Sequence, residues 1–324
     1  MRRSHSETYR VISAHGSHAW VSPLTGPLIS QVVLPLKGRA LKPVAGDIAL
    51  VSRDSESLVE LLPRRNALVR AESHRQKVIA ANLDLIIILI SGEPLFAPEL
   101  LVRIMATLSS QGLPCIIALN KTDLAKESDR ARASLCSCLP WPCLADAEIS
   151  CKTHELQSPG SRAGLGLESL LEAIQARGIQ NPVVGLIGQS GMGKSSLLNA
   201  LIPNAGAQTQ AISQALQSGR HTTTVSRSYE WLDVGGWLID TPGFQTFGIQ
   251  HLTKEDLLSV FPEWHDLQRN GRCRFYNCQH DQEPGCVLGE SLEAMRSKAL
   301  LNEERYQQLQ QRLDLWRRLA CELR

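Results

Sequence analysis

Residues 188–195 decide the fold, and their sequence is Gly188-Gln189-Ser190-Gly191-Met192-Gly193-Lys194-Ser195. This octapeptide fits the pattern GxxxxGK[ST], follows an apolar run at 182–187 that predicts a strand, and precedes the helix-forming run 196–201. In that context the glycines let backbone N–H groups surround phosphates at the N-terminus of a helix. We expect Lys194 to contact the β- and γ-phosphates of a nucleotide and the Ser195 hydroxyl to bind Mg²⁺. The predicted phosphate-binding residues are Gly188, Gln189, Ser190, Gly191, Met192, Gly193, Lys194, Ser195 and Ser196.

A second phosphate-binding signal is the tetrapeptide Asp240-Thr241-Pro242-Gly243. It follows an apolar strand, which belongs to a predicted hairpin over residues 232–239. We expect Asp240 to hold Mg²⁺ through water and the amide of Gly243 to sense a γ-phosphate. Together with the P-loop, these residues predict a nucleotide site of the GTPase type.

The segment 219–224, Gly-Arg-His-Thr-Thr-Thr, lies between these two motifs, where the first switch of a GTPase belongs. One of its three threonines can complete the Mg²⁺ shell, and we favour Thr223. The residue after Gly243 is Phe244, whose apolar side chain cannot orient the attacking water as a Gln does in Ras-like enzymes. We therefore expect slow intrinsic hydrolysis, with His221 as the nearest candidate for that role and a solvent-exposed switch histidine as the alternative. The predicted catalytic residues are His221, Lys194 and Thr223.

Guanine recognition is predicted at Asn120-Lys121-Thr122-Asp123, which follows an apolar strand. The Asp123 carboxylate can accept protons from both N1 and the exocyclic amino group of guanine, and adenine offers no such pair. The Lys121 stem can lie over the base, and Asn120 can tie this loop to the P-loop. Ser150-Cys151-Lys152 ends the next strand and suits a further base-contacting loop, in which the Cys151 amide would donate to guanine O6.

The order of these motifs is rotated relative to ordinary GTPases. In those enzymes the P-loop comes first and the NKxD loop comes late, whereas here 120–123 and 150–152 precede 188–195, and 240–243 comes last. All the signals are present, so the order predicts a circularly permuted GTPase sheet. Movement driven by nucleotide could then pass straight into the segment that follows Gly243.

Four metal-ligand side chains lie close together near the C-terminus: Cys273, Cys278, His280 and Cys286. Three thiols and one imidazole favour one structural Zn²⁺ with no open position, and unbound reduced thiols are the alternative. The odd count of nine cysteines predicts reduced thiols or metal ligands rather than a disulfide framework. A second quartet is not favoured as a metal site: Cys136, Cys138, Cys143 and Cys151.

Strand and helix patterns divide the chain into three predicted domains. Short β-prone runs predict an OB-fold over 1–70, although an SH3-like barrel would leave a similar trace, and the basic charge of this stretch makes it the candidate RNA-binding domain. Strand–helix alternation predicts a mostly parallel sheet over 71–260. Residues 261–324 form the zinc-binding segment and one helix from about Ser291 to the end. The predicted fold class is therefore multidomain α/β, with an N-terminal OB-fold β-barrel, a circularly permuted P-loop GTPase domain and a C-terminal zinc-binding domain with a terminal helix.

Composition excludes some classes of protein. With 43% hydrophobic and 20% charged residues among 324, the chain can bury a core, and disorder is not expected. The apolar run 85–90 is far too short to span a bilayer, and no signal core follows the first residues. Residues 1–70 carry ten Lys/Arg against five Asp/Glu, which suits a polyanionic partner or a merely soluble basic face. We expect a cytoplasmic monomer that makes no membrane contact.

Taken together, these residues resemble the RsgA (YjeQ) family of bacterial circularly permuted GTPases, which act in assembly of the small ribosomal subunit. The resemblance covers nearly the whole chain and adds Gly46-Asp47, 62–66 and 76–82 to the motifs above. It implies an OB-fold, a permuted GTPase domain that uses Mg²⁺ with GTP or GDP, and a zinc domain. It also implies GTP hydrolysis stimulated by the small subunit, rRNA contact through the two flanking domains, and release late in maturation.

The sequence departs from the family pattern at three places. Ser150-Cys151-Lys152 replaces the usual Ser-Ala-Lys, the loop 154–163 is longer than the family norm, and Gly191 stands where potassium-activated GTPases carry Asn. A divergent paralogue that acts at another assembly step is one alternative. A nucleic-acid-binding module that uses GTP only as a structural ligand is a second, and the intact Lys194 and Asp240 argue against it. A metal-delivery GTPase is a third, and the closed Cys/His set argues against it.

Overall fold

The computed structural model describes residues 6–24, 31–38, 40–72, 75–140, 145–151, 166–203, 205, 225–276, 278, 280 and 283–323. These residues form an N-terminal barrel, a six-stranded sheet, a hairpin that connects the two, and a C-terminal group of helices. Within these ranges, a helix with the length and apolar character needed to cross a membrane does not occur.

The N-terminal barrel is a five-stranded antiparallel sheet in the order β3-β2-β1-β4-β5. Its strands are β1 (Ser6–His15), β2 (His18–Pro23), β3 (Val32–Pro35), β4 (Ile48–Ser52) and β5 (Ser57–Leu61). A bridge between Leu36, just after β3, and Leu58 of β5 brings the two edges together. Val11, Val21 and Leu58 are fully buried in its interior. A five-stranded antiparallel barrel is the OB-fold arrangement that the sequence predicts.

A two-stranded hairpin, β6 (Ala67–Glu72) and β7 (Arg75–Ala81), joins the barrel to the main sheet. The sequence prediction does not include this hairpin. The Ala81 N–H donates to the Ala45 carbonyl at 3.0 Å. A Cβ on Gly46, which has φ of +89°, would come within 2.1 Å of the Ala81 oxygen. Only glycine fits this approach, so the hairpin packs directly against the barrel.

The main sheet has the strand order β10-β9-β8-β11-β13-β12. Its strands are β8 (Leu85–Ser91), β9 (Cys115–Asn120), β10 (Ala147–Glu148), β11 (Val183–Gly188), β12 (Arg227–Trp231) and β13 (Gly236–Asp240). Neighbouring strands are parallel except for the antiparallel pair of β12 and β13. Every residue of β8 and β11 is buried, as expected for central strands covered on both faces. The accompanying helices are α1 (Pro98–Ser110), α2 (Ala125–Leu135), α3 (Leu167–Gln175) and α4 (Lys194–Leu201).

The hairpin formed by β12 and β13 corrects one sequence expectation. Residues 232–234, predicted as its first strand, form a short 3₁₀ turn at the tip instead. The strand that pairs with β13 is β12, five residues long and ending at Trp231. The side chain of Leu232 is 80% exposed, whereas Trp231 is buried. Gly235, with φ of +67°, supplies the left-handed residue that this turn requires.

The C-terminal segment consists of separate helices. They are α5 (Lys254–Leu258), α6 (Pro262–Asn270), α7 (Val287–Ser297) and α8 (Glu303–Ala320). The expectation of one helix from about Ser291 to the end is therefore wrong. Ala299 takes a left-handed φ of +52°, and the Asn302 side chain caps α8 by accepting from the Arg305 N–H at 2.8 Å.

The C-terminal helices share one continuous core with the main sheet. Trp264 of α6 and Trp316 of α8 are buried within it. The fully buried guanidinium of Arg312 pairs with Glu263 and so ties α8 to α6. This packing fixes the segment beside the GTPase sheet. The domain boundaries at 70/71 and 260/261 stay predictions.

Candidate nucleotide-binding site and candidate metal centre

The carboxyl ends of neighbouring strands carry the predicted nucleotide motifs. β11 ends at Gly188, β13 at Asp240 and β9 at Asn120, while Ser150 follows shortly after β10. These four strands are parallel members of one sheet, so their carboxyl ends lie along one edge. Ligands of open α/β sheets bind at this edge. Motifs far apart in the sequence are thereby brought together.

The P-loop turns between β11 and α4 through two glycines. Gly191 and Gly193 have φ of +85° and +95°, a region that side chains disfavour. Lys194 begins α4, and Ser195 and Ser196 lie exposed in its first turn. The first N–H groups of a helix lack intrahelical partners, so this turn is able to receive a phosphate.

Three further P-loop residues divide into supporting and exposed positions. The Gln189 side chain accepts from the Ala97 N–H at 3.1 Å. Met192 is buried, and its sulfur accepts from the Ser91 hydroxyl at 3.1 Å. Ser190 is exposed and lines the cavity above the loop. Gln189 and Met192 thus support the loop from behind, and Ser190 faces the ligand space.

Lys194 and Asp240 form the charged centre of the site. The Lys194 ammonium donates to the carbonyls of Gly188 at 2.9 Å and Gln189 at 3.1 Å, and burial lowers its pKa. Burial raises the pKa of Asp240 to about 6, against the opposing effects of Lys194 and the Thr241 amide. Asp240 Oδ1 is buried and has no hydrogen-bond partner among the described residues. A buried, unpartnered carboxylate oxygen beside a P-loop fits a hydrated Mg²⁺.

The loop after Asp240 passes close to the P-loop lysine. A Cβ on Gly243 would lie 3.0 Å from Lys194 Nζ. Phe244 is fully buried, its N–H donates to the Gly188 carbonyl at 3.3 Å, and its ring meets Phe247 edge-on at 5.4 Å. The Phe244 side chain is therefore held in the core, and its apolar ring carries no group that could orient a water.

Asn120 connects three loops of the site. Its amide nitrogen donates to the Met192 carbonyl at 2.9 Å, and its amide oxygen accepts from the Cys151 N–H at 3.3 Å. A Cβ on Gly193 would come within 2.4 Å of the same amide nitrogen. Burial, with a smaller effect from the charge of Asp123, raises the pKa of the Cys151 thiol to about 12. The thiol is therefore neutral where it lies.

The exposed Asp123 is held in place by Ser150. The buried Ser150 hydroxyl donates to Asp123 Oδ1 at 2.7 Å. The Lys121 ammonium donates to the Gly191 carbonyl at 2.9 Å and the Glu93 carbonyl at 2.5 Å. Its stem thus runs from the NKxD loop to the P-loop, along the side where a base would lie.

A cavity of about 980 Å³ opens above these motifs. Its lining includes two cations that lie outside the GTPase motifs, Arg70 of β6 and Lys77 of β7. Strand pairing across the hairpin brings these two residues side by side. Three predicted residues lie outside the described part of the chain, namely His221, Thr223 and Lys152, as does the loop 154–163.

The four predicted metal ligands converge on one point. Their ligand atoms all lie within 4.8 Å of one another. His280 Nδ1 is 3.5 Å from the Cys273 sulfur, 3.7 Å from that of Cys278 and 3.4 Å from that of Cys286. Zinc ligands at tetrahedral positions lie roughly 3.5–3.8 Å apart, given Zn–S and Zn–N bonds of about 2.0–2.3 Å. The geometry therefore fits a four-coordinate zinc ion.

Neighbouring groups support this candidate metal centre. Backbone N–H groups of His280 and Val287 donate to the sulfurs of Cys278 and Cys273, both at 3.4 Å. The second imidazole nitrogen of His280 lies 3.4 Å from the Gln268 side-chain amide. Burial lowers the pKa of His280, which favours the neutral imidazole that ligates metal.

The other cysteines do not form a second metal group among the described residues. Cys136 is disulfide-bonded, so the expectation of reduced thiols or metal ligands is wrong at this position. Burial raises the pKa of Cys138 to about 12, which suits a buried neutral thiol. Cys143 lies outside the described residues.

Comparison with known proteins adds a family and a fold. The RsgA GTPase family model matches residues 61–250. The small ribosomal subunit biogenesis GTPase RsgA of Paraburkholderia xenovorans (strain LB400) is 41% identical over 291 residues, covering 87% of this chain and 86% of that protein. The protein of the same name from Bordetella pertussis (strain Tohama I) is 40% identical, covering 88% of this chain and 89% of that protein.

Two solved structures share the fold. YjeQ from Thermotoga maritima is 23% identical and aligns with a TM-score of 0.63 over 97% of this chain and 98% of that chain. YloQ, described as a circularly permuted GTPase, is 22% identical and aligns with a TM-score of 0.58 over 99% of this chain and 98% of that chain. The rotated motif order and the strand order of the main sheet agree with this permuted fold.

Proposed function

The chain belongs to the RsgA GTPase family, and from that premise we propose that it binds the small ribosomal subunit, hydrolyses GTP there and assists late maturation. Family membership makes it a GTP hydrolase. The ribosomal part is supported by relatives about 40% identical that are named small ribosomal subunit biogenesis GTPases. We place its action in the cytoplasm, as a monomer.

The Asn120 side chain carries the nucleotide part of this proposal. It hydrogen-bonds the P-loop and the Cys151 amide together, so the phosphate and base loops form one site. In that site Asp123 accepts from N1 and the amino group of guanine, and Ser150 holds the carboxylate in position. The Lys121 stem covers the base, and the Cys151 amide, which donates to Asn120 at 3.3 Å, would also donate to guanine O6.

The phosphates would be bound at the N-terminus of α4. Lys194 exchanges its two carbonyl contacts for the β- and γ-phosphates, and the Gly243 amide meets the γ-phosphate. Ser195, Asp240 and Thr223 would hold Mg²⁺, which neutralises negative charge on the phosphate oxygens when bound. The unpartnered, buried Oδ1 of Asp240 supports this assignment.

Hydrolysis by the free protein should be slow, because Phe244 is buried and cannot orient water. We propose that the small subunit orders the segment 219–224 and thereby brings His221 toward the attacking water. Positioning of one such group accounts for stimulation of roughly 10²-fold.

One structural zinc would be held by Cys273, Cys278, His280 and Cys286. Bound zinc cross-links a segment with little core of its own and supplies its folding free energy. All four ligands would be used, so no position is open for metal delivery. A purely structural nucleotide is likewise not favoured, since a passive binder has no use for the Asp240 carboxylate.

The zinc segment also supplies a candidate contact for rRNA. Tyr276 is fully exposed and Phe275 is nearly half exposed, with the Arg274 guanidinium 5.5 Å from the Phe275 ring. Arg272 is exposed in the same segment. Exposed aromatic rings beside arginines suit stacking on unpaired bases and contact with phosphates.

The decisive experiment measures GTP turnover with and without purified small subunits. The parent should be stimulated about 10²-fold, and Lys194→Ala should lose the stimulated rate. Tyr276→Ala should weaken the apparent affinity for subunits and leave the basal rate unchanged. Leu300→Ala, which removes an exposed side chain elsewhere in the C-terminal segment, is the matched control. A parent with equal turnover in both conditions would remove the ribosomal part of the proposal.

A further inference from the structure

Two cations line the nucleotide cavity without belonging to any GTPase motif. Arg70 of β6 and Lys77 of β7 share its lining with the P-loop and with the loop after β13. Lys121 and Lys194 line the same cavity, and Asp240 is the single carboxylate among the described lining residues. The excess of positive charge suits a ligand that carries several negative charges, as a nucleoside triphosphate does.

Arg70 and Lys77 are direct partners in the register of the hairpin. Side chains of directly opposed residues project from the same face of a strand pair, and like charges in that arrangement are destabilising. An anion bound beside them removes the repulsion. The hairpin therefore presents two cations side by side on one face, which suits an anionic ligand.

Arg70 also contacts the loop that follows Gly243. Its guanidinium carbon lies 5.4 Å from the centroid of the Phe244 ring, within the range of a cation–π contact. The preceding residue, Gly243, passes so close to Lys194 that a Cβ would lie 3.0 Å from its ammonium. Arg70 therefore lies beside the loop 243–244, which the ammonium of the P-loop lysine also approaches.

The barrel holds the hairpin in this position. The Ala81 N–H donates to the Ala45 carbonyl and the Asn82 side chain to the Gly46 carbonyl, both at 3.0 Å. Leu68, two residues before Arg70, is fully buried. The place of Arg70 is consequently set by contacts with the barrel and with Phe244.

We propose that Arg70, supported by Lys77, binds the terminal phosphate of GTP and is supplied in cis by the hairpin between barrel and sheet. The contact forms with a triphosphate and is lost with a diphosphate, so the hairpin links the barrel to the state of the nucleotide. This role rests on the proposed nucleotide at the P-loop and does not depend on the ribosomal partner.

Binding of GDP and of a non-hydrolysable GTP analogue tests this role. We expect Arg70→Met to weaken binding of the GTP analogue about 10-fold and binding of GDP less than about 2-fold. The reason is that one charge-assisted hydrogen bond to the terminal phosphate is lost. Arg70→Lys should retain most of the affinity, since a cation remains. Lys77→Met should also weaken binding of the analogue more than binding of GDP, by about 3-fold. Arg130→Met is the matched control, because Arg130 is exposed on α2 and does not line the cavity.

Equal weakening of both nucleotides by Arg70→Met would overturn the proposal and leave packing on Phe244 as the role of Arg70. Thermal unfolding identifies a variant that fails to fold. In that case the test uses only Lys77→Met, because Lys77 is exposed. An unchanged ratio between its affinities for the GTP analogue and for GDP overturns the proposal. If the parent protein binds neither GDP nor the GTP analogue, the P-loop assignment itself is wrong. Measurements on the parent alone show this result.

Discussion

The side-chain amide of Asn120 donates to the backbone carbonyl of Met192 at 2.9 Å, and both residues are buried. This bond joins the loop after β9 to the P-loop after β11. A base held by one loop and phosphates held by the other would thus be positioned by this bond together with that from Lys121 to the Gly191 carbonyl. Recognition of guanine and binding of phosphate should therefore be energetically coupled.

Asp123→Asn should shift nucleotide preference from GTP toward XTP. The amide can pair with the xanthine edge, whereas with guanine it leaves donors of the base and the protein unpaired. We expect the free energy of GTP binding to become less favourable by about 2–4 kcal/mol, because unpaired polar groups are buried. Equilibrium binding of GTP and XTP to parent and variant measures this shift.

The control for this substitution is Asp129→Asn, which removes an exposed carboxylate on α2. It should leave both affinities unchanged. Equal GTP affinity in the parent and in Asp123→Asn would remove the base-recognition assignment, and weakened binding of both GTP and XTP would indicate a distorted loop instead.

The nucleotide motifs are predictable because phosphate and guanine demand particular residue types directly after strands. Residues 188–195 and 120–123 lie at strand ends of the structure, as their sequences predict. The supporting roles of Gln189 and Met192 are not predictable in the same way. They follow from contacts with Ala97 and Ser91, which lie far away in the sequence.

Elsewhere the sequence prediction fails where tertiary contacts override local pattern. β12 contains buried polar residues, Arg227 and Ser228, so its sequence lacks a continuous apolar run. The Arg227 guanidinium lies 5.0 Å from the Tyr229 ring, which supplies part of the missing apolar packing. The break before α8 depends on the left-handed conformation of Ala299, and alanine has no preference for this conformation that the sequence could reveal. The Cys/His cluster is predictable because its residue types are those that ligate metal ions in proteins.

Asp240→Asn should stabilise the nucleotide-free protein at about pH 8 while abolishing Mg²⁺-dependent hydrolysis. Burial raises the pKa of Asp240 to about 6 from an ordinary 3.8. The folded state then binds the proton more tightly than the unfolded state, so the stability of the parent falls as pH rises from about 4 to about 6. The amide avoids this cost, and we expect a gain on the order of 1–3 kcal/mol at about pH 8.

Denaturant unfolding without nucleotide or Mg²⁺ checks the sign of this effect. The gain should shrink as pH falls through about 6 and vanish below about 4, where the parent carboxyl is protonated in both states. Asp54→Asn, which removes a carboxyl in an exposed turn of the barrel, is the matched control. A gain of equal size at both ends of the pH range would mean that burial of charge is not its cause.

Cys278→Ser should lose stoichiometric zinc and loosen the segment between α6 and α7. The hydroxyl is a poor zinc ligand, and the remaining Cys273, His280 and Cys286 leave the ion incompletely held. Metal analysis should give one zinc per parent chain and much less in the variant, and hydrogen exchange should rise across 271–286. Cys321→Ser, which alters an exposed cysteine, should retain the metal. Full zinc content in Cys278→Ser would contradict the ligand set.

Phe244 explains why activation from outside the free protein is expected. The ring is fully buried against Phe247, and the backbone N–H is engaged by the Gly188 carbonyl. Rotation of this side chain toward the nucleotide would leave a cavity in the core. The group that orients water must therefore come from elsewhere, and His221 in the segment 219–224 is the candidate that the sequence offers.

His221→Ala should lower the stimulated rate of GTP hydrolysis far more than the basal rate and leave GTP affinity nearly unchanged. The reason is that the imidazole would act on the attacking water only after the small subunit has ordered its segment, whereas binding depends on the P-loop and Asp123. Stimulation should fall from roughly 10²-fold to a few-fold, the loss expected for one water-orienting group. Steady-state turnover with and without subunits, beside nucleotide binding, measures each quantity, and His265→Ala on α6 serves as the control. Equal fold-stimulation of parent and His221→Ala would transfer the activating role to the ribosome itself or to backbone ordering alone.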